Sequence, residues 1–559
     1  MADKSYTTIR VTKNVNKMLK DYSTKCYADL SLNSMLKVLL DDLNSGYVKF
    51  PDYGIFECPK HRKERLREAA AKIITSSQEG ELGASMAGSL PDDVYTRKEK
   101  DTMGTMNVPE TALWGASTQR AILNFPVSGL RMPRSFIRSL GLIKAAAAKS
   151  NSELGIISED ISKAIVAPSL SVAEGNHDEH FPIDVFQTGS GTSSNMNANE
   201  VIARLASKES ELEIHPNDHV NQGQSSNDVI PSVIHLSALL QIQNKLIPQL
   251  VKLQNSLTDK SNEFHDVVKT GRTHLMDATP IRLGQEFEGY AGLIERSIDR
   301  LILVQDELSL LALGGTAVGT GVNTDSNFSA LTCAHLSELA GVDVHETDNH
   351  FLAQSTLDGA LATSSVLRGA AVSMQKIAND IRWLGSGPRA GISELKLPAV
   401  QPGSSIMPGK VNPVIPEALI QACSQVIACD SAMLQASQGG YFELNTMLPF
   451  AAHNLLQSIN LLTSSSAVFD EKCVQGLEAT SKGPELLHSG LMLATALAPV
   501  IGYAEAAKIA KEAHSSDKSV LEVAEYKTDL SREELEEILD PSGMLEPNTS
   551  KSESKTKTP

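Results

Sequence analysis

Apolar residues recur at helical spacing over long stretches of the chain. The first stretch covers residues 231–263 and keeps its Val, Ile and Leu side chains on one stripe, which predicts a helix of about nine turns. Similar patterns cover residues 283–311, 356–384, 416–434 and 451–465. These stretches lack the heptad charges of a two-stranded coiled coil, so each helix needs partners on several sides. The pattern therefore predicts a mainly α protein with a central bundle of long helices that associates with other subunits.

The beginning of the chain has a different pattern. Residues 6–12 alternate like a strand, and helical patterns follow at 14–26 and 32–43. A strand and two helices resemble the ribbon-helix-helix modules that pair as dimers and place a β-ribbon in the major groove of DNA. The alternative is a solvated appendage that pairs within the oligomer. Cys58 and His61 could form half of a metal site, but a second pair of ligands does not stand out in the sequence.

Changes in composition suggest the domain boundaries. A small, polar, Gly-rich segment at residues 76–94 has the composition of a linker. The boundaries that we expect are an N-terminal extension at 1–75, this linker, a first domain at 95–229, a central helical bundle domain at 230–485, a small C-terminal helical domain at 486–546 and a disordered tail at 547–559.

Charge and cysteine content narrow the range of protein classes to which this chain can belong. The 559 residues include 50 Lys and Arg against 67 Asp and Glu, a formal net charge of −17, which disfavours nucleic-acid binding through bulk charge. The cysteines are widely spaced without a CxxC pair, as in proteins of a reducing compartment. The sequence shows neither the apolar run of a membrane span nor the apolar core of a secretory signal. We therefore expect a cytoplasmic protein without disulfides.

Two polar segments precede helical patterns and could bind an anion. Residues 188–197, TGSGTSSNMN, alternate glycine with hydroxyls and amides, so that backbone N–H groups could approach a carboxylate; a simple Gly/Ser turn with a helix cap is the alternative. Residues 215–228, HPNDHVNQGQSSND, could orient a polar ligand by hydrogen bonds or could only cap helices. His215 and His219 are four residues apart, but Pro216 argues against one helical face that would hold a metal ion.

Two further polar segments, which we expect to be loops like the first two, offer acid–base chemistry. Residues 269–280, KTGRTHLMDATP, place His274 among hydroxyls and charges, where it could carry a proton near neutral pH or could be structural. Residues 403–417 begin with a Gly/Ser-rich stretch that predicts a mobile loop. Ser404, Lys410 and Asn412 then offer a hydroxyl, a cation and an amide, and Glu417 opens the following helix. A base, an anion holder and a carboxylate thus fall within one short segment.

This last segment, GSSIMPGKVNP, resembles the signature of the fumarase/aspartase superfamily. The resemblance runs from about Glu99 to about Pro547 and includes the other three polar segments in the expected order. It implies a fumarase/aspartase-like three-domain fold with a central long-helix bundle. Aspartase sequences typically carry NPND, GRTQ and MPAKVNP, whereas this chain has His215, His274 and Gly409 at the differing positions. These residues favour the class II fumarate hydratase branch, with an aspartate ammonia-lyase as the alternative.

The resemblance implies a reaction and roles for particular residues. The reaction would be the reversible, stereospecific hydration of fumarate to (S)-malate in the tricarboxylic acid cycle, by anti addition of water through an aci-carboxylate intermediate. Ser404 would be the base, and His274, oriented by Glu417, would protonate the departing hydroxyl. The residues that would bind substrate are Ser190, Gly191, Thr192, His215, Asn217, Asp218, Ser225, Ser226, Asn227, Thr273, Ser405, Lys410, Val411 and Asn412.

The resemblance also implies a homotetramer in which each active site takes loops from three subunits, and it implies no metal or organic cofactor. A second dicarboxylate site is expected near the HPND turn, where a basic side chain normally precedes the turn. Glu211 and Glu213 reverse that charge here, so the occupancy of this second site stays open. A function of another class also stays open: a non-catalytic scaffold whose residues 1–75 bind DNA.

Overall fold

The computed structural model describes residues 47–50, 54–57 and 95–547. The chain divides into two compact units, Met1–Val94 and Tyr95–Pro559. In the first unit, strand β1 (Tyr47–Phe50) pairs with strand β2 (Gly54–Glu57) in an antiparallel hairpin that we did not predict. The strand expected at 6–12, both helices of the possible DNA-binding module, Cys58, His61 and the linker lie outside the described residues, as does the tail from residue 548.

The second unit begins with a hairpin and a group of helices. Strands β3 (Thr96–Asp101) and β4 (Gly104–Pro109) are antiparallel neighbours. Ser158 caps one of the following helices by accepting a hydrogen bond from the Ile161 N–H, and Gly175 ends the same helix with a left-handed backbone. The helices of this region are α1 (Ala116–Asn124), α2 (Arg134–Glu153), α3 (Glu159–Glu174), a 3₁₀ turn (Asp178–His180), α4 (Thr192–Ser210) and a π turn (Pro216–Val220).

Long helices then build a bundle. The elements are α5 (Ser226–Gln241), a π turn (Ile242–Leu246), α6 (Ile247–Glu263), β5 (Val268–Thr273), β6 (Met276–Arg282), α7 (Leu283–Leu303), α8 (Gln305–Leu308), β7 (Leu310–Leu311), α9 (Phe328–Ala340), β8 (His345–Glu346), α10 (His350–Ser355), α11 (Asp358–Leu384), β9 (Leu395–Lys396), α12 (Val414–Ser437), β10 (Gly440–Tyr441), β11 (Leu444–Asn445) and α13 (Leu448–Lys472). The short strands pair as β7 with β8 and β10 with β11, and β9 pairs with a later strand. The expected long-helix bundle is confirmed.

The bundle helices differ from several of their predicted bounds, and α13 (Leu448–Lys472) is longer at both ends than the expected 451–465. The helix expected at 231–263 begins earlier, at Ser226, and contains the π turn before α6. Pro248 lies near the start of α6 and has no N–H to donate, and the wider turn just before it accommodates this missing bond. The helix expected at 283–311 ends at Leu303, because the chain turns through α8 into strand β7.

One hydrophobic core joins the first helices to the bundle. Helix α11 packs against α7 and α12, helix α12 packs against α13, and α6 packs against both α7 and α13. The core contains apolar residues from all of these helices and from α2, α4 and α5, including Leu140, Ile202 and Ile234, which are fully buried. Such mutual burial stabilises the helices far more than their intrinsic propensity does.

The C-terminal part of the chain has a separate small core. Its elements are a 3₁₀ turn (Val474–Gly476), β12 (Glu478–Ala479), α14 (Lys482–Leu487), a 3₁₀ helix (Leu491–Leu497), α15 (Ala498–Ile501), α16 (Tyr503–Ser516), α17 (Val520–Lys527), α18 (Arg532–Ile538) and a 3₁₀ turn (Pro541–Met544). Strand β12 pairs with β9, and the buried residues of this second core include Leu497, Val523 and Leu535. Among the described residues, none of the helices is long and apolar enough to cross a membrane.

Candidate active site

A chain of hydroxyl groups joins the first two polar segments. Ser190 Oγ lies 2.7 Å from Thr192 Oγ1, which in turn lies 2.7 Å from Ser226 Oγ. Gly191, with φ of 70°, provides the left-handed backbone that begins α4. We call Ser190, Thr192 and Ser226 the hydroxyl cluster. Since it lies at the N-termini of α4 and α5, where free N–H groups and the helix dipole favour negative charge, it can hold a carboxylate.

The approach of the Ser190 loop to the bundle requires a glycine. A Cβ atom on Gly189 would lie 1.9 Å from the Thr446 carbonyl oxygen, closer than any real contact. The Leu448 N–H donates to the Gly189 carbonyl at 2.9 Å. The strand–helix connection before α13 thereby fixes the loop that carries the hydroxyl cluster.

Asp228 ties the start of α5 to a distant loop. Ser225 and Asp228 form a capping box, in which Asp228 Oδ1 accepts the Ser225 N–H at 2.9 Å. The other oxygen, Oδ2, accepts the N–H groups of Gly314 and Thr316 at 3.1 and 3.0 Å. Asn227 reaches the same loop, because its Nδ2 donates to the Ala317 carbonyl at 2.8 Å. Burial raises the pKa of Asp228 to about 6, although these N–H donors act in the opposite direction.

The loop at residues 314–321 is a functional candidate that the sequence analysis missed. Gly314, Thr316, Gly319 and Gly321 all have left-handed backbones, which explains the glycine content of the sequence GGTAVGTG. Through Asp228 and Asn227 this glycine loop lies against the start of α5. The density of glycines between two helical patterns is the signal that could have revealed it.

A buried lysine lies behind the same loops. Lys144 on α2 is fully buried, and its Nζ donates to Asn221 Oδ1 at 3.0 Å and to Gln224 Oε1 at 2.9 Å. Burial lowers the pKa of Lys144 to about 7, while the negative charge of Asp228 acts in the opposite direction. Both oxygens that face Nζ are hydrogen-bond acceptors, which favours the charged ammonium.

His274 lies at the tip of a hairpin. The third polar segment, expected as a loop, instead forms β5 and β6, with Thr273 opposite Met276. His274 and Leu275 are the two turn residues, with φ of 55° and 62°, as a two-residue primed turn requires. The sequence lacks the usual Asn-Gly signal for such a turn, and this explains why a loop was expected. The His274 side chain is exposed at the tip.

Charged side chains anchor strand β5 of this hairpin. Lys269 on β5 lies 2.9 Å from Glu286 and 2.7 Å from Glu394, measured between Nζ and the carboxylate oxygens. Arg272 donates to both oxygens of Glu394, at 3.1 and 2.6 Å. Burial acts to raise the pKa of Glu394, but the hydrogen bonds and charges of Arg272 and Lys269 outweigh it and bring the pKa below its usual value. We call these four side chains the hairpin anchor.

The fourth polar segment closes on itself. The Gly403 N–H donates to the Lys410 carbonyl at 2.7 Å, and Asn412 Nδ2 donates to the Gly403 carbonyl at 2.6 Å. Within this loop, Ser404 Oγ accepts the N–H groups of Ile406 and Met407 at 3.2 and 3.0 Å. Lys410 is exposed, as are its neighbours Ser405 and Val411.

Glu417 lies in the first turn of α12, directly after this loop, and is half-buried. Its backbone N–H donates to the Pro413 carbonyl at 3.1 Å. Within one chain the candidate residues therefore form separate groups: the hydroxyl cluster with α5, the His274 hairpin, and the Ser404 loop with Glu417. The hydrogen bonds of residues 95–547 join members within each group and do not link one group to another.

The HPND turn orients its histidines through the backbone. His215 Nδ1 accepts the N–H groups of Asn217 and Asp218 at 3.3 and 3.1 Å, and His219 Nδ1 accepts the His215 N–H at 2.9 Å. A nitrogen that accepts a hydrogen bond is not available to a metal ion, so this geometry argues against a metal pair through Nδ1. The side chains of His215, Asn217 and Asp218 are exposed, as are those of Glu211 and Glu213.

The long-helix bundle, the hydroxyl cluster at two helix N-termini and the serine-containing loop before α12 agree with the helical lyase that the sequence resemblance implies. The chain matches the lyase family over residues 104–428 and the fumarase C C-terminus family over residues 493–546. It is 49% identical over 451 residues to the class II fumarate hydratase of Xylella fastidiosa strain 9a5c, with 80% of this chain and 95% of that protein covered. The chain belongs to the class II fumarate hydratase family, and the resemblance noted in its sequence is confirmed.

Other relatives support the same family assignment. The class II fumarate hydratase of Halobacterium salinarum is 51% identical over 454 residues, which cover 80% of this chain and 97% of that protein. The crystal structure of class II fumarase from Schistosoma mansoni has a TM-score of 0.79 and 39% identity, over 80% of this chain and 99% of that one. Fumarate lyase:delta crystallin from Brucella melitensis, bound to cobalt, has a TM-score of 0.78 and 42% identity, over 81% and 100% of the two chains.

Proposed function

We propose that this chain catalyses the reversible hydration of fumarate to (S)-malate by anti addition of water. The observation that carries the proposal is the environment of Ser404 in a loop of the family's signature sequence. Two backbone N–H groups donate to Ser404 Oγ. Such donors stabilise an alkoxide more than a hydroxyl, which is what a serine base needs. Ser404 removes a proton from C3 of malate in the dehydration direction.

Proton removal places a second negative charge on the adjacent carboxylate and gives an aci-carboxylate. Lys410 and Asn412 stabilise this intermediate by charge and hydrogen bonding. Stabilisation of a charge that develops only during the reaction lowers the barrier rather than merely tightening substrate binding. Asn412 already donates to Gly403, so the same side chain also holds the two ends of the Ser404 loop together.

His274 transfers the proton of the leaving group. As an acid it protonates the departing hydroxyl of malate, and as a base it activates the water that adds to fumarate. Glu417 orients the imidazole. The hairpin anchor determines where the tip of the hairpin lies, and the position of His274 follows from it.

The substrate carboxylates bind mainly among hydroxyls and N–H groups, with Lys410 as the cation. The hydroxyl cluster, the start of α5 and the nearby loops supply these donors. The residues proposed to bind substrate are Ser190, Gly191, Thr192, Ser225, Ser226, Asn227, Thr273, Ser405, Lys410, Val411 and Asn412, together with His215, Asn217 and Asp218 at the HPND turn.

We infer that the functional unit is a homotetramer with composite sites. The separation of the three groups within one chain supports this assignment, because the proposed chemistry needs all of them around one substrate. We further assign the chain to the cytoplasm. The exposed Glu211 and Glu213 next to the HPND turn weaken the attraction of a second dicarboxylate there, and titration with fumarate would measure that binding.

The activity is tested by following the loss of fumarate absorbance with the full chain in metal-free buffer. We expect turnover without added metal, and activity that disappears with a chelator would contradict the proposal. Ammonium-dependent consumption of fumarate would instead show an aspartate ammonia-lyase. Ser404→Ala should lower kcat by about a thousandfold or more. Ser431→Ala, an exposed serine on α12, is the matched control and should keep wild-type turnover.

Composite sites have a separate test. Ser404→Ala and His274→Asn are each expected to be inactive, but subunits of the two variants, mixed and reassembled, would form some sites with neither change. Recovery of activity on mixing would support sites built from different subunits. Two variants that assemble into mixed tetramers without any recovery would contradict it.

A further inference from the structure

Lys144 is a charged side chain that the proposed mechanism does not use. It lies on α2 without solvent exposure, and its Nζ contacts two side-chain amide oxygens instead of a carboxylate. Removing an ammonium from water is unfavourable, so a buried lysine of this kind is retained where it fixes one arrangement of the surrounding segments. The segments that it contacts are the ones proposed to bind the substrate carboxylates.

Asn221 is the junction between these segments. Its Oδ1 accepts from Lys144 at 3.0 Å and also from Asn195 and Asn199 of α4, both at 3.1 Å through Nδ2. Asn195 follows Thr192 by one helical turn, and its N–H donates to the Gly191 carbonyl at 3.0 Å. The ammonium therefore polarises the oxygen that holds the first turn of α4.

Gln224 extends the same arrangement to α5. It accepts from Lys144 through Oε1, and its Nε2 donates to the carbonyls of Val220 and Gln222 at 3.1 and 3.2 Å. The next residue is Ser225, the N-cap of α5. One ammonium thus contacts the loop that leads into α5 directly and the start of α4 through Asn221.

We propose that Lys144 is a positioning residue for substrate binding: its ammonium sets the spacing between the N-termini of α4 and α5 that hold the substrate carboxylates. This inference rests on the proposed function. The positive charge also interacts with Asp228 at the start of α5, so it lies close enough to those N-termini to add to their attraction for a dianion. Lys144 acts through Asn221 and Gln224 and does not itself touch the substrate.

The test compares Lys144→Met with wild type in full-length protein, with KM and kcat measured for fumarate and malate and thermal unfolding measured in parallel. Loss of the ammonium loosens carboxylate binding, so KM for both substrates should rise about tenfold while kcat stays within about threefold. Lys144→Arg keeps the charge and should recover part of the lost affinity.

Lys260→Met is the matched control. Lys260 is also a buried lysine, on α6, and it donates to the Glu263 carboxylate and the Leu477 carbonyl, away from the candidate site. Its loss should lower the unfolding temperature and leave KM within about twofold of wild type. A merely structural role for Lys144 would give the same result as this control, and equal KM values in the two variants would overturn the proposal.

A second variant tests the proposal if Lys144→Met does not fold. Gln224→Met keeps the ammonium and removes one acceptor, and it should raise KM in the same direction by a smaller factor. An unchanged KM in a folded Gln224→Met protein would also overturn the proposal. Wild-type protein that did not hydrate fumarate would overturn the proposed function and this inference with it. An active wild type, combined with an unchanged KM in the variants, would overturn this inference alone.

Discussion

Neutralising Glu394 should damage both stability and turnover. Glu394 is the carboxylate at the centre of the hairpin anchor, and its side chain is only 1% exposed. Glu394→Gln keeps the size of the side chain but removes its charge. Arg272 then loses the bidentate carboxylate that it pairs with, and Lys269 keeps only Glu286 as an ionic partner. Because Arg272 loses its carboxylate partner and the fully buried Lys269 loses one of its two, we expect a loss of about 3 kcal/mol in the free energy of unfolding.

The same change should move His274, the proposed proton donor. The anchor holds β5 through Lys269 and through Arg272, which precedes His274 by two residues, and a displacement of about 1 Å at a reacting group can lower the rate about a hundredfold. We therefore expect kcat to fall by that order, with a smaller effect on KM. The assays are chemical or thermal unfolding of the variant and initial rates of fumarate hydration.

Glu478→Gln is the matched control. Glu478 pairs with Lys396 at 2.8 Å on the neighbouring strand pair, but the two side chains are 63% and 65% exposed. An exposed pair contributes less than about 1 kcal/mol. If Glu394→Gln resembled Glu478→Gln in both stability and kcat, the reasoning that the anchor positions His274 would be refuted.

Other predictions concern the remaining groups of the site. Lys410→Met should raise KM and lower kcat together, by about a hundredfold in kcat/KM, in steady-state assays. Gly189→Ala should lower the unfolding temperature by several degrees and weaken fumarate binding in titration, because the added Cβ would meet the Thr446 carbonyl. Burial brings the pKa of Lys144 from 10.5 to about 7, so between these pH values the unfolded chain holds more protons and stability should rise with pH. Thermal unfolding across this range should show a smaller rise in Lys144→Met than in wild type.

The helices of the bundle were largely predictable from sequence. The stretch expected at 356–384 corresponds to α11, which begins only two residues later, at Asp358. Its apolar stripe is continuous because one face is buried along the whole length. The end of α7 was not predictable: Leu308 and Leu311 continue the apolar pattern but belong to a short helix and a strand. Both residues are buried. The spacing of apolar residues does not show whether one long helix buries them or a short helix followed by a strand.

The segments that form the candidate site were predictable from the sequence, but the contacts between them were not. The four polar segments follow from composition and from resemblance to the family. The bond from Asp228 to the glycine loop spans 86 residues of sequence, and no local pattern predicts a pairing across such a distance. Lys144 was overlooked for a related reason: in a helical stretch of sequence a lysine normally indicates the solvated face, and only the packed structure shows that it is enclosed.

The small C-terminal core connects the far end of the chain to the hairpin that carries His274. Its 3₁₀ helix Leu491–Leu497 and 3₁₀ turn Pro541–Met544 both contact β6, the strand that returns from His274. More than two hundred residues separate β6 from these two elements in sequence. A truncation or nonsense change close to residue 540 would therefore withdraw support from the hairpin that carries His274 while every bundle helix stayed intact, so that an abundant, well-assembled protein could still be a poor enzyme.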